Sequence, residues 1–151
     1  MQSESICVLF LCTGNSARSQ MAEALLCDLG GARFIINSAG LEPAARVAPA
    51  AVTVLAEIGL DWSKAEPKSV SEFAGQSFDY VITLCEQARS SCPTFPGQHA
   101  LLHWDLEDPA AVGGSAEERL EAFRRTRQEL THHLGPFIEM AIAAHRKALA
   151  V

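Results

Sequence analysis

The feature that most constrains this chain is a junction close to its start. Ile6-Cys7-Val8-Leu9-Phe10-Leu11-Cys12 is an unbroken apolar run, of strand length and apolar on both faces. Thr13-Gly14-Asn15-Ser16 ends it abruptly with turn-forming residues. From Ser19, Met21, Ala22, Leu25, Leu26 and Leu29 recur at helical spacing until Gly30-Gly31 closes the pattern. Phe34-Ile35-Ile36 then reads as a second strand, ended by Ser38-Ala39-Gly40. Buried strand, tight turn, amphipathic helix and strand form a βαβ unit, which commits the chain to a parallel sheet.

The pattern recurs downstream. Pro49 opens a helix carrying Val52, Leu55, Ala56 and Ile58 and ending near Gly59. A short helix is predicted around residues 71–74. Residues 80–84 (Tyr-Val-Ile-Thr-Leu) form a third buried strand ending at Cys85, and residues 100–104 a weaker fourth. After a loop at 107–114, Ser115 and Glu118 have capping-box spacing ahead of a long helix. Gly135-Pro136 is expected to break or kink that helix. With 151 residues and no repeat or linker, the reading is one α/β domain over 1–151. It has four parallel strands and helices on both faces.

Eighteen acidic and twelve basic side chains leave a charge of −6. No broad basic face for nucleic acid is expected, although a local pocket can still hold an anion. Residues 1–5 lack a basic region, and the apolar run at 6–11 is short for a signal-peptide core. No segment reaches the roughly 18–20 apolar residues of a membrane span. The expectation is a cytoplasmic monomer with no membrane and no nucleic-acid partner. Its five cysteines, an odd count, are expected as reduced thiols.

The chemistry gathers at the first turn. Ligands bind beyond the carboxyl ends of strands in open α/β sheets, and both Cys12 and Cys85 fall at such ends. Cys12-Thr13-Gly14-Asn15-Ser16-Ala17-Arg18-Ser19 sets a cysteine and an arginine five residues apart. Backbone amides curling into a helix start form a nest for a tetrahedral oxyanion. Arg18 adds a permanent, bidentate charge. The same positive field favours the Cys12 thiolate; Ser19 can donate to it, and Asn15 can brace the loop. Taken alone, Cys-x5-Arg also fits a buried thiol and a surface arginine; its place between a buried strand and an amphipathic helix favours a site. The loop lacks the second glycine and the Lys-Ser/Thr pair of a Walker A motif.

On these residues the chain resembles the low-molecular-weight protein tyrosine phosphatase superfamily. The run from Cys12 through Ser19-Gln20-Met21-Ala22-Glu23 is similar to its thioredoxin-coupled arsenate reductase branch. The resemblance continues through Asn37-Ser38-Ala39-Gly40, Val81-Ile82-Thr83-Leu84-Cys85, and His103-Trp104 with Asp108-Pro109. It implies the strand order 2-1-3-4 and no bound cofactor. It implies Cys12 as nucleophile, residues 13–19 with Arg18 as the oxyanion cradle, and Asp108 as the general acid. A turn aspartate before proline is the plainer reading of Asp108.

Phosphatases of this superfamily follow that Asp-Pro with tyrosines; here Ala110-Ala111 follow, and Tyr80 is the only tyrosine. Reduction instead needs further thiols. Cys85-Glu86-Gln87-Ala88-Arg89-Ser90-Ser91-Cys92-Pro93 supplies two, six residues apart. The resemblance implies Cys85 as resolving thiol and Cys92 as final partner. Its substrate is arsenate, or phosphate, and its reductant thioredoxin, glutaredoxin or a small thiol. The segment between them is polar and must rearrange, because a disulfide holds Cα atoms within about 7 Å.

Other readings stand beside these. The same fold could serve a small phosphatase with incidental thiols, or a non-enzymatic redox or anion sensor. Cys85, Cys92, His99 and His103 superficially suggest zinc, at a spacing wider than structural sites use. Cys7 and Cys27 are expected in the core, and His132 and His133 on a helix surface. Some relatives bind potassium through residues matching Asn15, Glu23 and Ser38 plus a further acid. Near that point this chain has Glu66-Pro67-Lys68, so a metal-free site is expected. Ala17 excludes a disulfide within the loop.

Overall fold

The computed structural model describes residues 5–150; residues 1–4, on which much of the reading of the N-terminus rests, and Val151 lie outside the described residues. Four parallel strands, β1 (Ile6–Cys12), β2 (Phe34–Gly40), β3 (Tyr80–Thr83) and β4 (Ala100–His103), form one sheet in the order β2-β1-β3-β4. Val8, Leu9, Phe10 and Leu11 are fully buried. Successive side chains point to opposite faces, so β1 is covered on both, as the continuous apolar run requires. Cys12 pairs with Gly40 and Leu11 with Thr83. The C-terminal ends of β1 and its two neighbours, β2 and β3, therefore lie side by side.

The helix α1 (Arg18–Gly30) buries Met21, Ala22, Leu25 and Leu26 of the predicted stripe, whereas Leu29, expected to continue it, is exposed. Cys27 is exposed, which corrects its expected place in the core. Two residues past Leu25 is about 200° around a helix, the solvent side. Cys7 is half-buried on β1. The helix α2 (Pro49–Ala56) buries Ala51, Val54 and Leu55, and stops short of Ile58, which is exposed. The short helix expected near 71–74 is a single 3-10 turn, Val70–Phe73.

The long helix α4 (Ala116–Leu149) is capped as predicted: Ser115 Oγ accepts from Glu118 N at 3.1 Å, and Glu118 Oε1 accepts from Ser115 N at 3.3 Å. It runs unbroken through Pro136, contrary to the expected break. Leu130, Leu134, Phe137 and Ala141 are buried along it, and α1 and α2 pack against it. Burial of several large side chains outweighs the roughly 3 kcal/mol a helix-interior proline costs. A short helix, α3 (Glu86–Ser90), follows β3 directly and was not foreseen. Among the described residues no helix is long and apolar enough to cross a membrane.

Candidate active site

The turn after β1 is fixed by its carbonyls. Those of Cys12, Thr13, Gly14 and Ser16 accept from the amides of Leu41, Glu42, Ala44 and Ala48, at 3.2, 2.9, 2.9 and 2.8 Å. A second loop thus takes up the acceptors of the first. The amides of Gly14, Asn15, Ser16 and Ala17 donate to no protein acceptor among the described residues. An arc of uncommitted donors at a helix start is suited to a compact oxyanion. Asn15 holds the arc's shape with φ 50°, a left-handed conformation that asparagine tolerates. Gly40 lets β2 approach: a Cβ there would lie 2.7 Å from Thr13 O and 2.8 Å from Asn15 N.

The Cys12 thiol is buried and 2.8 Å from Ser19 Oγ. Asn15 Nδ2 donates to Ser19 Oγ at 2.8 Å and to Ser38 Oγ at 2.9 Å; Ser38 Oγ donates to Glu23 at 2.6 Å. Lys68 Nζ stands 3.5 Å from the same Glu23 oxygen. A monovalent cation would have to displace that ammonium, so the residues present do not fit one.

The structure brings the second thiol to the loop. Cys85, at the N-cap of α3, accepts from Ala88 N at 3.4 Å, and its Sγ is 3.4 Å from Thr13 Oγ1. Thr13 Oγ1 also donates to Gln87 Oε1 at 3.2 Å. Arg18 Nη1 donates to the carbonyl of buried Leu106 at 3.1 Å, tying the loop to the segment that carries Asp108. Among the described residues its remaining guanidinium donors meet no acceptor, which suits them to an anion. Asp108 is exposed and caps the 3-10 turn Pro109–Ala111, with Oδ1 accepting from Ala110 N at 3.0 Å. Cys92 follows α3 in the chain, its thiol donating to the carbonyl of the next residue, Pro93, at 3.5 Å. Burial pushes that thiol up from its ordinary value. His103 turns Nδ1 to Thr83 Oγ1 at 2.8 Å, and His99 packs against Phe95. Among the described residues no three His, Cys, Asp or Glu side chains gather as metal ligands.

Gln20, Trp62 and the Lys68 backbone also belong to this site. Gln20 Nε2 and Lys68 N both donate to Asn15 Oδ1, at 2.9 and 2.8 Å, and Trp62 Nε1 donates to Gln20 Oε1 at 2.7 Å. The available signal was a glutamine on the apolar stripe of α1, between Ser19 and Met21, fully buried in the fold. Trp62 carried none, being one aromatic in a polar stretch.

A thiol on a strand end, hydrogen-bonded to serine and set with an arginine at an arc of amides that meet no acceptor among the described residues, is an arrangement suited to holding an oxyanion against sulfur. The chain's relatives specify the kind of protein. Residues 7–148 match the family described as low molecular weight phosphotyrosine protein phosphatase, and the chain belongs to that family. An arsenate reductase of Halalkalibacterium halodurans is 40% identical over 132 residues, covering 87% of this chain and 94% of that protein. A solved arsenate reductase in a phosphate binding state aligns with TM-score 0.73 and 31% identity, over 90% of this chain and 98% of that one. The thioredoxin-dependent arsenate reductase of Corynebacterium glutamicum aligns with TM-score 0.67 and 32% identity, over 93% of this chain and 65% of that one.

Proposed function

We propose that this chain is an arsenate reductase working through three thiols in sequence. Arsenate is held by the amides of residues 13–18 and by Arg18. The Cys12 thiolate attacks arsenic, and Asp108, through the carboxylate oxygen not used in capping, protonates the departing hydroxide as water. The Cys85 thiolate then attacks Cys12 Sγ. A sulfur–sulfur bond forms, the sulfur–arsenic electron pair passes to arsenic, and arsenite leaves. Cys92 attacks Cys85 Sγ, releasing Cys12 as a thiolate and leaving a Cys85–Cys92 disulfide. An external dithiol returns that disulfide to two thiols.

The observation that carries this reading is the 3.4 Å contact between Cys85 Sγ and Thr13 Oγ1. A plain phosphatase needs no second thiol against the loop that holds its ligand. The relationship to arsenate reductases supports the substrate, and the thioredoxin-dependent relative supports thioredoxin as reductant. All five cysteines are free thiols, which suits a reducing cytoplasm. With thioredoxin, thioredoxin reductase and the folded, reduced protein, arsenate is expected to drive NADPH oxidation. Absence of turnover under those conditions would sink the proposal. Cys85→Ser is expected to abolish turnover while leaving phosphate binding intact.

A further inference from the structure

The polar atoms behind Cys12 form a chain whose outer hydrogen bonds have set directions. An indole N–H can only donate, so the Gln20 atom facing Trp62 Nε1 at 2.7 Å is the carbonyl oxygen. The Gln20 amide nitrogen therefore faces the other way, donating to Asn15 Oδ1 at 2.9 Å and to Glu66 O at 3.1 Å. Lys68 N, also a donor only, reaches Asn15 Oδ1 at 2.8 Å. With its oxygen doubly used, Asn15 presents Nδ2 to Ser19 Oγ and Ser38 Oγ. Ser19 Oγ accepts that bond, and a Cys12 thiolate has no proton to give, so toward the thiolate the Ser19 hydroxyl is the donor, 2.8 Å from Sγ. Asn15, Ser19 and Gln20 are fully buried, out of reach of bulk solvent.

We propose that Trp62 and Gln20 are positioning residues that keep the Ser19 hydroxyl donating to the Cys12 thiolate. Trp62 is their outer anchor. It lies half-buried in the loop after α2 and touches neither the thiol nor the anion loop's amides. Without its N–H, Gln20 Oε1 is a buried acceptor lacking a donor, and the side chain shifts rather than turns over, because Glu66 O and Lys68 N hold both amides the way they face. A displaced Gln20 slackens its bond to Asn15 Oδ1, and Asn15 Nδ2 then holds Ser19 Oγ less firmly. The Ser19 hydroxyl is then less well aimed at Cys12 Sγ, and the thiolate's donor weakens.

The idea rests on Cys12 being the nucleophile proposed above. Alkylation reads the thiol itself, whether or not arsenate turns over, so the two ideas fail separately. The experiment is the pH profile of Cys12 carbamidomethylation by iodoacetamide, followed at the Cys12 peptide by mass spectrometry, in the full chain and in Trp62→Phe. Trp62→Phe keeps the ring and removes only the donor. Its profile is expected to move to higher pH, with alkylation about 2- to 10-fold slower on the acid side of the midpoint. A folded Trp62→Phe whose profile overlays the unsubstituted one overturns the proposal, because a merely structural tryptophan would lower stability without moving the midpoint. If Trp62→Phe does not fold, Gln20→Met breaks the chain from inside α1 and is read the same way. In the unsubstituted, nitrogen-15-labelled protein, the Trp62 indole resonance is expected to titrate with the Cys12 alkylation midpoint. A flat indole resonance across that range also overturns the proposal.

Discussion

Gly40 is where one methyl group acts on anion binding without touching a ligand. Its added Cβ would meet only backbone: Thr13 O at 2.7 Å, Asn15 N at 2.8 Å and Gly14 C at 2.9 Å. Backbone cannot rotate away as a side-chain tip can, so the arc of amides shifts. Overpacking of this kind costs about 1–3 kcal/mol, and if that cost falls on the bound geometry it is about 5- to 150-fold in affinity. Gly40→Ala is expected to stay folded and to weaken phosphate binding by that factor in calorimetry; unchanged affinity would show that the loop's shape is set elsewhere. At this scale Cys12, Arg18, Ser19 and Asn15 were legible, because their chemistry follows from one contiguous stretch. Gln20 and Trp62 were not, since their bond joins positions 42 residues apart and amide orientation leaves no mark on a sequence.

At the scale of elements, the end of α2 is pinned to α4 by charge. Glu57 accepts from Arg124 Nη2 and Arg127 Nη1, each at 2.8 Å, and Arg127 Nη1 also donates to Val54 O at 2.7 Å. The bonds from Arg124, then those from Arg127, hold the Glu57 carboxyl down at about 2, against an ordinary 4.5. A carboxyl lowered by folding stabilises the fold fully above its unfolded value and loses that contribution as pH falls through the folded one. Thermal melts of the unsubstituted chain and of Glu57→Gln are therefore expected to differ at pH 7 and to converge as pH drops from 4.5 towards 2. A gap independent of pH would assign the difference to packing. Neither ion pair was visible in the sequence, because α2 and α4 meet only in the folded core. The strands and α1 were legible from their long apolar patterns. The unbroken course of α4 through Pro136 was not, since local propensity yields there to burial of Leu134 and Phe137.

For the molecule as a whole, the sheet is the fixed frame and α3 the part that the proposed relay would move. The order β2-β1-β3-β4 sets Cys12 and Cys85 on adjacent strand ends. That adjacency followed from the βαβ pattern and the family resemblance; α3 did not, since five residues with one buried side chain, Ala88, carry no period. A disulfide allows about 7 Å between Cα atoms, and α3 fills five of the six positions between Cys85 and Cys92, so in the proposed relay it is the segment that opens. Little opposes this: α3 contributes only Ala88 to the core, and Cys85 Sγ, which caps it through Ala88 N, is the atom that would be consumed. The bonds that open are Arg89 N to Cys85 O at 3.1 Å and Ser91 N to Gln87 O at 3.0 Å. Hydrogen exchange after arsenate treatment, with reductant withheld, is expected to speed up at those amides by at least about tenfold, which corresponds to about 1.4 kcal/mol of lost protection. Protection across β1 and α1 should be unchanged, because neither element depends on α3 for its hydrogen bonds. Loss of protection spread through the sheet would mean that oxidation loosens the whole domain, and unchanged exchange at Arg89 and Ser91 would mean that Cys92 is not the final thiol.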